Sequence, residues 1–205
     1  MKSLMAVLIG STLLLSASPK KPPSTLLYDP TFGKEGYCDF GDFQQWQKYS
    51  HDPLATRVES DGTISSLVLL GLPFDAPTQG ELQLRAISAT GREINKVTLP
   101  AEIAFRLDAR FATAKAMSDG SWLVALPTLK NGLTEQVNIY RFNGAKSDLS
   151  FGEKGVLHIP TSSISAKVSF MNDGSFYLVK KTDLSHSSVC KFKKGGEADL
   201  KFGTT

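Results

Sequence analysis

The sequence is poor in the residues that most often announce a chemistry. It holds 2 cysteines and 3 histidines among 205 residues. His51, His158 and His186 form no metal-ligand pair at helical or close strand spacing, so a zinc-type centre has no framework. A G-x-S-x-G elbow and a glycine-rich phosphate loop are both missing. His51 is followed by Asp52, but an exposed loop position explains it better than an acid–base role, and His158 alternates within a strand-like run as a sheet-face residue. Charge of one sign is also lacking. Setting Lys2 aside, 22 Lys and Arg oppose 20 Asp and Glu, and basic clusters are short, as at Lys20-Lys21 and at Lys191, Lys193 and Lys194. Such short clusters are solvated edges, which argues against a nucleic-acid partner. Helical periodicity is weak throughout, and this argues against an α-helical domain.

Long apolar runs are scarce too. The segment Leu4 to Leu15 is too short to span a bilayer. Preceded by Lys2 and followed by Ser16-Ala17-Ser18, it reads as an export signal over residues 1–18. The expectation is a single domain over residues 19–205, periplasmic or secreted, without membrane contact once the signal is removed. About 187 residues suffice for one sizeable core. In an oxidising compartment Cys38 and Cys190 are a candidate disulfide. Two small buried apolar side chains are the other reading of the same pair.

What the chain does have is repetition. Asp29-Pro30-Thr31-Phe32-Gly33, Asp148-Leu149-Ser150-Phe151-Gly152 and Asp199-Leu200-Lys201-Phe202-Gly203 share a D-x-x-F-G core, and the first two continue to Gly36 and Gly155 at the same spacing. A worn copy at Gly91 to Asn95 keeps only part of the phrase. Between these joints lie Asp61-Gly62, Asp119-Gly120 and Asp173-Gly174, at intervals of 58 and 54 residues. Asp-Gly between β-branched runs is a hairpin signal, because glycine accepts the positive φ of the turn. The chain therefore divides into units at about 28–95, 96–150 and 151–205, each predicted as four antiparallel strands, a to d. In the last unit these are Val156 to Ile159, Ala166 to Met171, Ser175 to Lys180 and Ser187 to Phe192. The second unit follows with 103–107, 111–117, 121–126 and 137–142, and the first with 37–40, 54–58, 63–70 and 82–87.

The phrase D-x-x-F-G-x-x-G, a b strand ending in D-G-(S/T), and a d strand ending in (R/K)-F together resemble the bacterial delta-sixty repeat. That resemblance implies a β-propeller-like module and no enzymatic activity. The expected fold is all-β, with three propeller-like blades of four-stranded antiparallel sheet, open or tightly closed. Strand edges left open by so few blades need cover, from a partner subunit, tight closure or the disulfide, so a homo-oligomer is one solution.

Alternating strand direction puts the Asp-Gly hairpins and the Phe-Gly joints at one side of the array. Their recurrence marks Asp29, Phe32, Asp148, Phe151, Asp199 and Phe202 as structural. The other side carries the connections that do not repeat: the a–b segment Gly41 to Pro53, and the c–d loops around Phe74-Asp75, Lys130-Asn131 and Ser185-His186. Variable loops on a rigid repeat are where recognition concentrates. The candidate partner-binding residues are Trp46, Tyr49, His51, Phe74, Asp75, Lys130, Asn131, Ser185 and His186. The functional expectation is a non-catalytic module of the periplasm that binds another protein without a cofactor or metal, in the manner of an immunity protein or inhibitor blocking a secreted toxin enzyme. A carbohydrate-binding propeller using Gln44, Trp46, Gln47 and Tyr49 is the alternative.

Overall fold

The computed structural model describes residues 50–71, 81–101 and 109–203. Twelve strands and one 3-10 turn, Ala109–Phe111, make up its regular structure. Sheet 1 runs in the order β1 (Ser50–Val58), β2 (Ile64–Gly71), β3 (Glu81–Ile87), β4 (Glu93–Thr98). Sheet 2 contains β5 (Thr113–Ala116), β6 (Ser121–Lys130), β7 (Leu133–Asn143) and the short β8 (Lys146–Ser147), with β9 (Val156–Ser163) also paired to β7. Sheet 3 is β10 (Ser165–Phe170), β11 (Phe176–Lys181) and β12 (Ser187–Phe192). Every pairing is antiparallel. The described residues are thus all-β, as expected. The three sheets do not close into a propeller, and among the described residues they hold four, five and three strands, so the expected four-stranded antiparallel sheet is found in sheet 1.

The reason lies in the a strands. The run Val156 to Ile159 forms as expected, but it lies in sheet 2, with Val137 opposite Ile159 and Tyr140 opposite Val156. From Asn143 a two-residue turn and the D-x-x-F-G joint send the chain back along β7, whereas the step from β9 to β10 crosses to the next sheet through Ile164 alone. This a strand therefore completes the preceding sheet. In sheet 1 that place is taken by β4, in the stretch where the sequence suggests a worn joint; the strand expected at 103–107 and the one at 37–40 lie outside the described residues.

Side-chain alternation then stacks the sheets. On one face of sheet 2, Trp122, Val124, Leu126, Tyr140 and Phe142 pack against Leu67, Leu69, Leu82 and Leu99 of sheet 1 and its margin. On the other, Leu123, Ala125, Val137, Ile139 and Ile159 pack against Ala166, Val168, Phe176 and Leu178 of sheet 3. Sheet 2 is buried on both faces, so its inner strands read as near-continuous apolar runs. Trp122 is fully buried with the Arg57 guanidinium 5.0 Å from its ring centroid, an electrostatic contact that ties sheet 1 to sheet 2. The far face of sheet 1 is buried as well and partly polar: Arg85 bonds to Gln83 at 2.9 Å and faces Glu93 at 3.6 Å.

Candidate recognition end

Two ends of the sheet stack differ in chemistry, and hydrogen bonds between sheets fix which loops share an end. Arg57 donates to the Gly120 carbonyl at 2.9 Å, bringing the β1–β2 hairpin beside the β5–β6 hairpin. Lys115 donates to the Phe170 carbonyl at 3.2 Å and to Asn172 at 2.6 Å, which adds the β10–β11 hairpin. All three Asp-Gly turns therefore gather at one end.

Each turn is built in the same way. Asp119 accepts from the Ser121 amide at 3.0 Å and its hydroxyl at 2.6 Å, and Asp173 does the same with Ser175 at 2.9 and 2.6 Å. Asp61 takes the Thr63 amide at 2.8 Å. These bonds favour the ionised carboxylate, so all three pKa values lie below the ordinary 3.8; the Ser121 and Ser175 hydroxyls dominate for Asp119 and Asp173, and the Thr63 amide for Asp61. The D-x-x-F joint adds a second fixed element. Asp148 bonds to the amide of Ser150 and faces Arg141 at 3.6 Å; Asp199 repeats this with the Lys201 amide and Lys191 at 3.4 Å. Phe151 is buried in the core between sheets 2 and 3, whereas Phe202 is 41 % exposed and rests edge-on against Tyr177. This end holds the fold together and repeats itself.

The opposite end does not repeat. At the β6–β7 tip, Asn131 (φ 53°) and Gly132 (φ 78°) both take positive φ, the signature of a tight two-residue turn. Lys130 reaches Glu135 at 3.0 Å, an exposed pair worth at most about 1 kcal/mol. The backbone at Thr134 is opposite Ser163, and Ile164 donates to the Lys181 carbonyl at 2.8 Å. The β6–β7 tip, the β9–β10 corner and the β11–β12 tip are thereby joined side by side.

The β11–β12 tip is organised by one carboxylate. Asp183 accepts from the Ser185 amide at 2.8 Å, the Ser185 hydroxyl at 2.9 Å, the His186 amide at 2.8 Å and His186 Nδ1 at 2.8 Å. The backbone bond from Ser185 is the main reason the Asp183 carboxyl sits below its ordinary value. Although serine, histidine and aspartate meet here, they do not form a nucleophile relay. Ser185 Oγ and Asp183 both approach Nδ1 of the imidazole, whereas proton transfer through a histidine uses its two nitrogens on opposite partners. The cluster locks a turn and holds His186 out to solvent.

Of the residues expected to bind a partner, Lys130, Asn131, Ser185 and His186 are brought to this end. His51 lies at the start of β1 opposite Leu70, so it belongs to a strand and not to the loop expected over 41–53. That strand is longer than its composition indicates because Pro53 is accommodated at a bulge between Pro53 and Ala55 on an edge strand. Trp46, Tyr49, Phe74, Asp75 and Cys38 lie outside the described residues. Cys190 is a free, partly buried thiol in β12.

Sequence reasoning missed the apolar residues at the same end. Leu133, Ile164 and Leu184 are exposed by 45, 39 and 88 %. The signal was available for Leu184, an apolar residue between Asp183 and Ser185 in a turn; Ile164 becomes visible only once the β9–β10 corner is known. Among the described residues no group of three or more His, Cys, Asp or Glu is placed to hold a metal ion. No helix of the described residues is long and apolar enough to cross a membrane. No protein-family model, curated protein or solved structure matches this chain.

Proposed function

We propose that the chain is an exported, periplasmic binding protein that acts on another protein without catalysis, through the end opposite the Asp-Gly turns. In the concrete form favoured here it is an inhibitor of immunity type that blocks a secreted toxin enzyme. The observation that carries the reading is the pairing of rigidity with apolar exposure at that end. Leu184 stands at the apex of a turn whose polar groups are already satisfied by Asp183, so docking it costs little ordering entropy. Leu133 and Ile164 extend the surface across two neighbouring tips, with Lys130 and His186 beside them as polar rim. A central apolar group surrounded by polar residues is the anatomy of a protein-binding patch.

The test begins with the mature protein immobilised against periplasmic extract and against secreted enzymes of competing cells. Ile164→Asp with Leu184→Asp is the control, since neither side chain is in the core. The expected result is an enzyme captured at one-to-one stoichiometry, inhibited by the native protein and neither captured nor inhibited by the double variant. Retention of cell-wall glycan in place of a protein overturns the reading in favour of the carbohydrate-binding alternative.

A further inference from the structure

Asparagine or aspartate followed by glycine is a pair prone to rearrange, because the glycine amide nitrogen can reach the preceding side-chain carbonyl with no Cβ in the way. The chain holds five such pairs: Asp61-Gly62, Asp119-Gly120, Asn131-Gly132, Asn143-Gly144 and Asp173-Gly174. The fold guards all but one. We propose that Asn131-Gly132, at the β6–β7 tip, is a site of self-modification, where the asparagine converts to aspartate and isoaspartate with no reactant but water.

In the three Asp-Gly turns both reacting groups are occupied. The glycine amide, which would be the nucleophile, donates to a backbone carbonyl: Gly62 to Glu59 at 3.0 Å, Gly120 to Met117 at 3.1 Å and Gly174 to Met171 at 3.2 Å. The carboxylates are held ionised, chiefly by the Thr63 amide at Asp61 and by the Ser121 and Ser175 hydroxyls at Asp119 and Asp173. An ionised carboxylate is a poor electrophile, since its oxygens do not leave. Asn143 is guarded differently. Its side-chain amide bonds to the Asp148 carboxylate, and its backbone lies within sheet 2, opposite Ser121 on one side and Lys146 on the other.

Asn131 has none of these restraints. It and Gly132 are both exposed, and among the described residues no hydrogen bond engages the Asn131 side chain or the Gly132 amide. Beyond its chain neighbours, no atom lies within 4 Å of where a Gly132 Cβ would stand, which leaves room for a ring to close. The tip is also easy to open. The ladder beneath it shifts register between Thr128 and Leu129, and the Lys130–Glu135 ion pair beside it is exposed.

The reaction balances with water alone. The Gly132 nitrogen gives its proton to solvent and bonds to Asn131 Cγ, and the side-chain nitrogen leaves that carbon as ammonia, closing a cyclic imide. Water then adds to one of the two imide carbonyls, whose bond to the ring nitrogen breaks, and the nitrogen takes back a proton. Opening at Cγ gives aspartate. Opening at the main-chain carbonyl gives isoaspartate, whose backbone runs through the side chain and is one methylene longer. Either product sets a new carboxylate beside Lys130, which already faces Glu135 at 3.0 Å, so the tip turns net negative next to Leu133. That this alters recognition rests on the function proposed above; the chemistry does not.

The test follows the intact protein and a urea-unfolded sample at mildly alkaline pH, with peptides read by mass spectrometry and isoaspartate resolved by chromatography. Both asparagines are expected to convert in the unfolded sample, which sets the time scale. In the folded protein only the peptide carrying Asn131 should change over that time, gaining the mass difference between hydroxyl and amide, and faster as pH rises. Asn131→Gly, which keeps the positive φ of the turn, should abolish the change and leave the other four pairs intact. The proposal is overturned if Asn131 survives in the folded protein after its unfolded counterpart has converted. Conversion of Asn143 at an equal rate, or isoaspartate appearing first at an Asp-Gly turn, overturns it as well. No partner enters this measurement, so its failure is distinct from failure of the capture experiment.

Discussion

At the scale of single residues, the repeated phrase is explained by backbone geometry. Gly152 sits at φ +59° with the position of a Cβ only 2.3 Å from the Val156 carbonyl oxygen, an atom locked by its bond to the Glu153 amide. Gly144 has almost the same φ and open space around it. Gly144→Ala is therefore expected to cost only the left-handed conformation, about 1–2 kcal/mol. Gly152→Ala adds a collision with backbone that cannot move, and its urea midpoint should fall clearly below that of Gly144→Ala; equal midpoints would mean that the joint has slack. The turn aspartates give a pH dependence with a definite sign. Asp119, Asp148 and Asp173 titrate below 3.8 when folded, chiefly because serine hydroxyls bond to them, so their contribution is present above that pH and is lost as pH falls through the lower, folded-state values. Urea midpoints should be flat from neutral pH down to about 5 as far as these groups are concerned and fall below about 4. Replacing Asp119 and Asp173 by Asn should lower the neutral plateau and shallow the acid limb. An unchanged acid limb would show that the bonds to Ser121 and Ser175 contribute nothing to stability.

At the scale of strands, core and surface can be told apart on adjacent positions. Phe176 is fully buried, stacked on Phe192 at 4.8 Å and edge-on to Phe170 at 5.9 Å, while Tyr177 faces outward. Phe176→Ala should destabilise by about 3–5 kcal/mol and Tyr177→Ala by far less, measured by chemical unfolding. The strands themselves were largely legible in the sequence. β10, β11 and β12 match their predicted spans to within a residue, because Asp-Gly turns and β-branched runs fix both ends. β4 was not legible. Five of its six residues are exposed, so Glu93 to Thr98 shows no apolar alternation and reads as a joint. Nor was the sheet to which β9 belongs. Its composition is that of any strand, and the decision is made by a one-residue crossing at Ile164 against a full joint at Asp148–Gly155. His51 falls in the segment Gly41 to Pro53, expected as a connection because it does not repeat, yet β1 already begins at Ser50 and takes Pro53 in at a bulge.

At the scale of the whole molecule, the sheet stack separates two duties. One end spends its aspartates and glycines on holding turns and joints, in nearly the same bonds each time. The other presents tips that differ from sheet to sheet, with Leu133, Ile164 and Leu184 exposed on them. The sequence carried this division, since what repeats is structural and what varies is free to be specific. It did not carry the apolar members of the surface, because proximity between tips of different sheets depends on the crossing from β9 to β10. The most direct measurement is amide hydrogen exchange on the mature protein with and without an enzyme retained in the capture that tests the proposed function. The account expects new protection at residues 130–134, 162–165 and 182–187, with the turns at 59–63, 117–121 and 171–175 unchanged. Protection centred on the Asp-Gly turns, leaving the three tips as they were, would contradict it.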